Sequence, residues 1–146
     1  MKSKVLIVAS NYYKEICKGL CDEAIKFLNK NDINTNVIYV PGTFEISFTI
    51  NKIISKKNFY KGVIAIGCVI RGDTYHFELI SNECARSIND IMLKSNIPIG
   101  FGVITCDNMH QAKDRSSPNR NNKGLEAASA CLEMMKLSDI IDKDNK

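Results

Sequence analysis

The chain has 146 residues, of which 45% are hydrophobic and 25% charged, with a net charge of +4 at pH 7. This composition is typical of a globular protein, and we predict one domain over residues 1–146. Lys and Arg are scattered, which argues against nucleic-acid binding, and no apolar run approaches the roughly 20 residues of a membrane span. The N-terminus is not a convincing signal peptide, so a cytoplasmic location is expected. The mildly basic net charge suits a protein that acts on anionic small molecules.

Strand and helix patterns alternate in the first half of the chain. An apolar strand is predicted at residues 4–9, and an amphipathic helix follows from Tyr13. Residues 37–40 indicate an edge strand because polar residues precede them. Thr43 is predicted to cap the next helix.

The same alternation continues to the end of the chain. A long helix is predicted after His76, followed by a strand at residues 97–104 and a short helix that ends near Arg115. After a polar loop, the last helix spans residues 124–137, and residues 138–146 are expected to fray. The pattern predicts four parallel strands with helices on both faces of the sheet.

The central strand leads into the most informative stretch. Residues 62–66 form an unbroken apolar run, typical of a strand buried on both faces, and apolar character continues to Ile70. The chemistry then changes abruptly to a polar turn at residues 71–76. Ligands of parallel α/β sheets bind beyond the carboxyl ends of the strands. We therefore predict a functional site at this turn, with His76 as a candidate base and Arg71 as a candidate cation.

Residues 67–78, GCVIRGDTYHFE, resemble the signature G-x-V-I-R-G-x-T-x-H-[FY]-[DE] of the 6,7-dimethyl-8-ribityllumazine synthase family. Further segments agree in family order: residues 9–12, 40–46, 101–105, and 111–115 with 122–124. The resemblance implies a flavodoxin-like three-layer α/β/α sandwich with a four-stranded parallel sheet in the order 2-1-3-4. It also implies condensation of 5-amino-6-(D-ribitylamino)uracil with 3,4-dihydroxy-2-butanone 4-phosphate, the penultimate step of riboflavin biosynthesis.

The resemblance assigns catalytic and binding roles to residues for which the local pattern alone would indicate only structural roles. His76 matches the proton-transfer residue, although a histidine at a helix start more often caps or packs. The implied phosphate-binding residues are Gly72, Asp73, Thr74, Arg115 and Lys123, with Glu126 in support. The implied pyrimidine and ribityl contacts are Tyr12, Thr43, Phe44, Glu45, Cys68, Val69, Ile70 and Phe101. Without the resemblance, the aromatic residues would be interpreted as core packing and the two cations as solvated side chains.

Asp73 is unusual among these residues, because a carboxylate would repel a phosphate dianion. We expect its side chain to point away from the phosphate or to contact a cation, for which Arg71 is the candidate.

The six cysteines and two histidines indicate no metal or redox site. No C-x-x-C pair is present, so free thiols that are buried or half-buried are expected, and neither metal nor cofactor is predicted. Glycine-rich nucleotide-binding motifs are absent. His110 is assigned to the solvent-facing side of a helix without a role.

The resemblance also implies a homopentamer with shared sites. Tyr12, Phe44, Glu45 and His76 would come from one subunit, and Phe101, Arg115 and Lys123 from the next. Riboflavin synthase is a candidate partner. Residues 117–122 lack the glycines common in shell-forming members, and Pro118 fixes a backbone angle, which favours a free pentamer. The alternatives are a flavin or phosphometabolite carrier on the same fold, and a shell protein without activity.

Overall fold

The fold is given by a computed structural model that describes residues 3–57 and 59–144. The strands are β1 (Lys4–Ser10), β2 (Asn34–Val40), β3 (Tyr60–Ile70) and β4 (Ile99–Cys106), all parallel, in the order β2-β1-β3-β4. The helices are α1 (Lys14–Lys30), α2 (Ile46–Ile54), α3 (His76–Ser95), α4 (Met109–Ser116) and α5 (Lys123–Asp144), with a 3-10 turn at Thr43–Glu45. The predicted α/β/α class and sheet order are confirmed. Within the described ranges, no helix is both long and apolar enough to cross a membrane.

The two central strands are apolar on both faces, which explains their position. Residues 5–9 of β1 and residues 63–66 of β3 are fully buried. Because alternate strand residues point to opposite faces, each strand contributes to two core layers. Ile7 belongs to the first core layer, with α1, α4 and α5, whereas Leu6 belongs to the second, with α2 and α3. β2 lies at an edge, as predicted.

Two predicted helix ends are wrong. Thr43 does not cap α2, because it begins the 3-10 turn with its side chain buried, and α2 starts at Ile46 without a side-chain cap. The last helix does not end near Leu137 but continues to Asp144. No Gly or Pro interrupts the sequence there, and charged residues are compatible with an exposed helix. Residues 145 and 146 of the predicted frayed tail lie outside the described residues.

The carboxyl ends of the four strands lie at one edge of the sheet. Two backbone hydrogen bonds tie the loops at this edge to neighbouring strands. The N–H of Asn11, after β1, donates to the carbonyl of Val40 at the end of β2 (3.1 Å). The N–H of Arg71, after β3, donates to the carbonyl of Cys106 at the end of β4 (2.8 Å). Loops from different strands are thereby held side by side.

Candidate active site

The turn between β3 and α3 is exposed at every residue from 71 to 76. The hydroxyl of Thr74 accepts a hydrogen bond from the backbone N–H of His76 (3.4 Å). His76 is the first residue of α3, a helix of 20 residues, and so lies at the positive end of its dipole. The turn therefore presents an imidazole, a hydroxyl and the first N–H groups of α3 at the carboxyl edge of the sheet.

Arg71 connects this turn to two neighbouring segments. Its guanidinium donates to Asp107 after β4 (Nε–Oδ1 3.1 Å) and to Glu78 in the first turn of α3, and it lies 4.4 Å from the ring centroid of Phe77. The two carboxylates raise the pKa of Arg71, and a backbone hydrogen bond together with Arg71 lowers the pKa of Glu78. Of the two alternatives for Asp73, contact with Arg71 is not formed, because Asp107 and Glu78 are the carboxylates that face the guanidinium in the described residues.

Four of the predicted pyrimidine and ribityl contacts, Tyr12, Thr43, Phe44 and Glu45, lie in the loops after β1 and β2. Tyr12 follows β1 and is 72% exposed. Phe44 (61% exposed) and Glu45 stand out from the 3-10 turn after β2. Thr43 is buried below them, with its methyl group close to Gly67 of β3. Two exposed aromatic rings and a carboxylate are therefore available at the same edge of the sheet as His76.

The end of β3 contributes mainly backbone to this edge. Cys68 and Val69 are buried in opposite core layers, and Ile70 is half-buried. Burial, with a smaller contribution from Cys106, raises the pKa of the Cys68 thiol to about 12. Cys68 is therefore a neutral thiol near pH 7 and not a nucleophile. All six cysteines are free and buried, as predicted.

The two predicted phosphate cations belong to α4 and α5, which pack on the face of the sheet that carries the first core layer. Helix α3 packs on the opposite face. Arg115 is half-buried near the end of α4, where its Nη1 donates to the carbonyl of Gln111 (3.4 Å). Lys123 begins α5 and pairs with Glu126 (Nζ–Oε2 2.7 Å), which places the predicted supporting carboxylate beside the lysine. In the described part of the chain, neither cation forms a hydrogen bond or ion pair with the β3–α3 turn.

Asn122 fixes the connection between α4 and α5, a role that was not predicted for it from the sequence. Its carboxamide is fully buried. Nδ2 donates to the carbonyls of Gly19 (3.2 Å) and Ser117 (3.0 Å), while Oδ1 accepts from the N–H groups of Gly124 (2.8 Å) and Leu125 (3.0 Å). Both donors and both acceptor positions are satisfied. The signal in the sequence was an Asn at a helix start, the position of an N-cap.

Backbone contacts between glycines and neighbouring segments tighten this connection. A Cβ built on Gly124 would lie 2.0 Å from the carbonyl oxygen of Leu20, and one on Gly19 would lie 2.3 Å from that of Ser116. Only glycine fits where two backbones approach so closely. The main-chain positions of Arg115 and Lys123 are consequently fixed against α1.

Phe101 is remote from the carboxyl edge within one chain. It lies opposite Ala65 in β4, an edge strand whose other residues are mostly buried, and it is 45% exposed. Ile104 of β4 is paired with Cys68 near the carboxyl end of β3. Phe101 lies three residues before Ile104, and hence about 10 Å further from the carboxyl ends of the strands.

The predicted site residues therefore form two groups. The first group, at the carboxyl edge, comprises Tyr12, Thr43, Phe44, Glu45, Cys68, Val69, Ile70, Gly72, Asp73, Thr74 and His76. The second group comprises Phe101, Arg115, Lys123 and Glu126. His110 belongs to neither group and is exposed, as assigned. Residues 3–57 and 59–144 contain no cluster of three or more potential metal ligands. Side chains of these types can transfer protons, stack on heterocycles and contact anions.

Comparison with known proteins gives a consistent match. Residues 2–139 match the family model described as 6,7-dimethyl-8-ribityllumazine synthase. The chain is 40% identical over 148 residues to the 6,7-dimethyl-8-ribityllumazine synthase of Ruthia magnifica, which covers 97% of this chain and 89% of the relative. It is 41% identical over 143 residues to that of Vesicomyosocius okutanii (93% and 86% covered) and 39% identical over 136 residues to that of Bartonella tribocorum (93% and 90%).

Proposed function

Because the chain belongs to the 6,7-dimethyl-8-ribityllumazine synthase family, we propose that the two groups of residues together form its active site. The chain is a transferase of riboflavin biosynthesis, which condenses 5-amino-6-(D-ribitylamino)uracil with 3,4-dihydroxy-2-butanone 4-phosphate. Products are 6,7-dimethyl-8-ribityllumazine, phosphate and water. The main support for the location is the exposed turn that ends at His76, at the carboxyl edge of a parallel sheet. No observation favours the carrier alternative.

The first group binds the pyrimidine in this proposal. Tyr12 and Phe44 offer exposed rings on which a heterocycle stacks, and the carboxylate of Glu45 accepts hydrogen bonds from ribityl hydroxyls. Because Cys68 and Val69 are buried, the end of β3 contributes backbone groups. These contacts bring the amine and the ketone together in a reactive geometry, which accounts for much of the expected rate enhancement.

The turn before α3 binds phosphate and moves protons. The Thr74 hydroxyl and the backbone N–H groups of the turn, at the positive end of α3, suit a phosphate dianion. Asp73 contributes its backbone, because its carboxylate would repel the dianion. His76 moves protons in three steps: as the amine adds to the ketone and water leaves to give the imine, as phosphate is eliminated, and as the ribitylamino nitrogen adds to the remaining carbonyl and a second water leaves to close the ring.

The second group completes the site from a neighbouring copy of the chain. Support comes from the contacts of Arg115 and Lys123, which in the described residues form no hydrogen bond or ion pair with the turn, and from the location of Phe101 on an edge strand. Large hydrophobic side chains also remain exposed in one chain, including Phe48 and Tyr75, each at 71%. A homopentamer is the arrangement that the family resemblance implies. A cytoplasmic location and riboflavin synthase as a partner belong to the same proposal.

Replacement of His76 tests the proton-transfer role. We expect His76→Ala to lower turnover by about 10²-fold, with both KM values close to those of the parent. Lumazine formation is followed by absorbance over a range of pH. A variant as fast as the parent at every pH would remove His76 from the mechanism.

Replacement of Arg115 tests the phosphate role. Loss of a charge-assisted contact should weaken use of the butanone phosphate by roughly 1.5–3 kcal/mol in Arg115→Ala, while the KM for the pyrimidine changes little. Equal loss for both substrates would contradict a phosphate contact.

Co-assembly of the two variants tests whether the site is shared. When His76→Ala and Arg115→Ala are unfolded and refolded together, about a quarter of the interfaces in a ring should combine an intact His76 with an intact Arg115. Activity should return to that level in the mixture but not in either variant refolded alone. Absence of recovery in mixed oligomers, verified by differently tagged chains, would contradict sharing.

A further inference from the structure

The contacts of Arg71 extend the active site beyond the residues that meet substrate. We propose that Arg71 is a positioning residue, which joins the β3–α3 turn to the β4–α4 loop and thereby holds Thr74 and His76 in place for the reaction. This inference rests on the active site proposed above.

The guanidinium of Arg71 bridges the loop after β4 and the first turn of α3, using different nitrogen atoms for each. Nε donates to Asp107 in the loop after β4 (3.1 Å), while Nη1 donates to Glu78, two residues after His76. Its Cζ lies over the ring of Phe77, which directly follows His76, at 4.4 Å from the ring centroid. Arg71 therefore contacts the first turn of α3 at two successive residues, and a rotation of that turn would break these contacts.

The other end of this bridge is firmly held. The backbone N–H of Asp107 donates to the side-chain carbonyl of Gln111 (2.8 Å), and the N–H of Gln111 donates to Oδ1 of Asn108 (2.9 Å). The backbone N–H of Arg71 itself donates to the carbonyl of Cys106. Asp107 is thus a fixed point at the capped start of α4.

The turn that Arg71 holds has few other anchors. In residues 3–57 and 59–144, the only hydrogen bond to a side chain of residues 72–76 joins the N–H of His76 to Thr74. A Cβ added to Gly72 would meet no atom within 4 Å. The position of the turn depends strongly on Arg71 for this reason.

The same contacts make Arg71 unsuitable as a phosphate cation. Two carboxylates already face its guanidinium, so the local charge of the three groups is negative. The side chain is 48% exposed, and ion pairs at such positions contribute little to stability. Loss of Arg71 should therefore affect the geometry of the turn far more than it affects folding.

The test compares Arg71→Met with a matched control, Arg86→Met. Arg86 also lies in α3 and pairs with a glutamate, Glu83 (Nε–Oε1 3.0 Å), but away from the turn. We expect Arg71→Met to lower kcat/KM for the butanone phosphate about 10- to 100-fold, because small misplacements of reacting groups cost this much. The KM for the pyrimidine and the thermal midpoint should stay near those of the parent. Arg71→Lys should not restore activity, because an ammonium cannot bridge both carboxylates and cover the ring.

A second variant approaches the bridge from its other end. Asp107→Ala should show the same defect, and the double variant Arg71→Met with Asp107→Ala should be no worse than either single change. Asp107→Ala alone also tests the proposal if Arg71→Met does not fold. Additive losses in the double variant would overturn the proposal. Behaviour of Arg71→Met like that of Arg86→Met, or a raised KM for the pyrimidine, would overturn it as well.

Two further variants separate failure of this inference from failure of the active site. His76→Ala and Arg115→Ala are measured in the same assays. If both are as active as the parent, the site itself is wrong. If both are impaired while Arg71→Met is not, only the positioning role is wrong.

Discussion

The β3–α3 turn and the α4–α5 connection both carry residues assigned to phosphate, but they are held in opposite ways. The α4–α5 connection is fixed by a fully buried carboxamide and by backbone contacts that admit only glycine. The β3–α3 turn is exposed throughout, and the half-exposed side chain of Arg71 holds it. The first arrangement is part of the core, whereas the second depends on the contacts of one half-exposed side chain at the surface.

This difference teaches where substitutions should act. Changes in the α4–α5 connection should lower the free energy of unfolding, because they disturb buried backbone. Changes in the β3–α3 turn should lower activity with little effect on folding, because the turn has few contacts to lose. Four predictions test this contrast.

The largest effect on stability is expected for Gly124→Ala. The new methyl group would lie 2.0 Å from the carbonyl oxygen of Leu20, so α5 must move away from α1. Overpacking of this kind should lower the free energy of unfolding by about 3 kcal/mol. Urea titration measures the change, and an unaltered midpoint would show that the two helices are not in close contact.

Asn122→Asp should have the next largest effect. The change preserves shape but replaces a donor with an acceptor opposite the carbonyls of Gly19 and Ser117. We expect the free energy of unfolding to fall by about 2 kcal/mol. The matched control is Asn121→Asp, an identical change at the exposed neighbouring residue. Equal midpoints for the two variants would contradict the anchoring role of Asn122.

A smaller effect, which depends on pH, is expected for Glu78→Gln in the first turn of α3, where Glu78 contacts Arg71. The folded state lowers the pKa of Glu78 below its ordinary value of 4.5, so its contribution to stability is present above that value and is lost as pH falls through the lowered one. The variant should therefore be slightly less stable than the parent at pH 7, with a difference that disappears in acid. Denaturant titrations at both pH values measure this, and a difference that grows in acid would contradict the assignment.

Gly72→Ala should have the smallest effect on stability. No atom lies within 4 Å of the added methyl group, and the backbone of Gly72 has no positive φ. The free energy of unfolding should stay within about 0.5 kcal/mol of the parent. If the turn binds phosphate, the methyl group should nevertheless raise the KM for the butanone phosphate. A large loss of stability would show that the turn is more tightly packed than the structure indicates.

Much of the fold was predictable because its signals are local. The apolar runs of β1 and β3 identify central strands, and polar residues before β2 identify an edge. Thr43 misled the prediction because a threonine before a helical pattern is a common cap, whereas here the side chain is needed in the core beside Gly67. The end of α5 was predicted too early, because the charged residues after Leu137 make the helix surface exposed but do not prevent the helix from continuing to Asp144.

The candidate site was predictable in its residues more than in its arrangement. The motif around His76 identified the turn, but Asp107, one of the two carboxylates that Arg71 contacts, lies 36 residues further along the chain. The role of Asn122 depends on Gly19, at a separation of 103 residues. No local pattern reports such contacts, since they exist only after the sheet has brought the segments together.

The contact between Asn122 and Gly19 also sets the order of events during synthesis. α1 is made early, yet α5, which covers its apolar side, is made about 100 residues later. At roughly 5–20 residues per second, the ribosome extends the chain for about 5–20 s before that cover exists. The nascent chain therefore lacks the cover that α5 gives to α1 throughout this interval, and it cannot complete its first core layer until the last helix has left the ribosome.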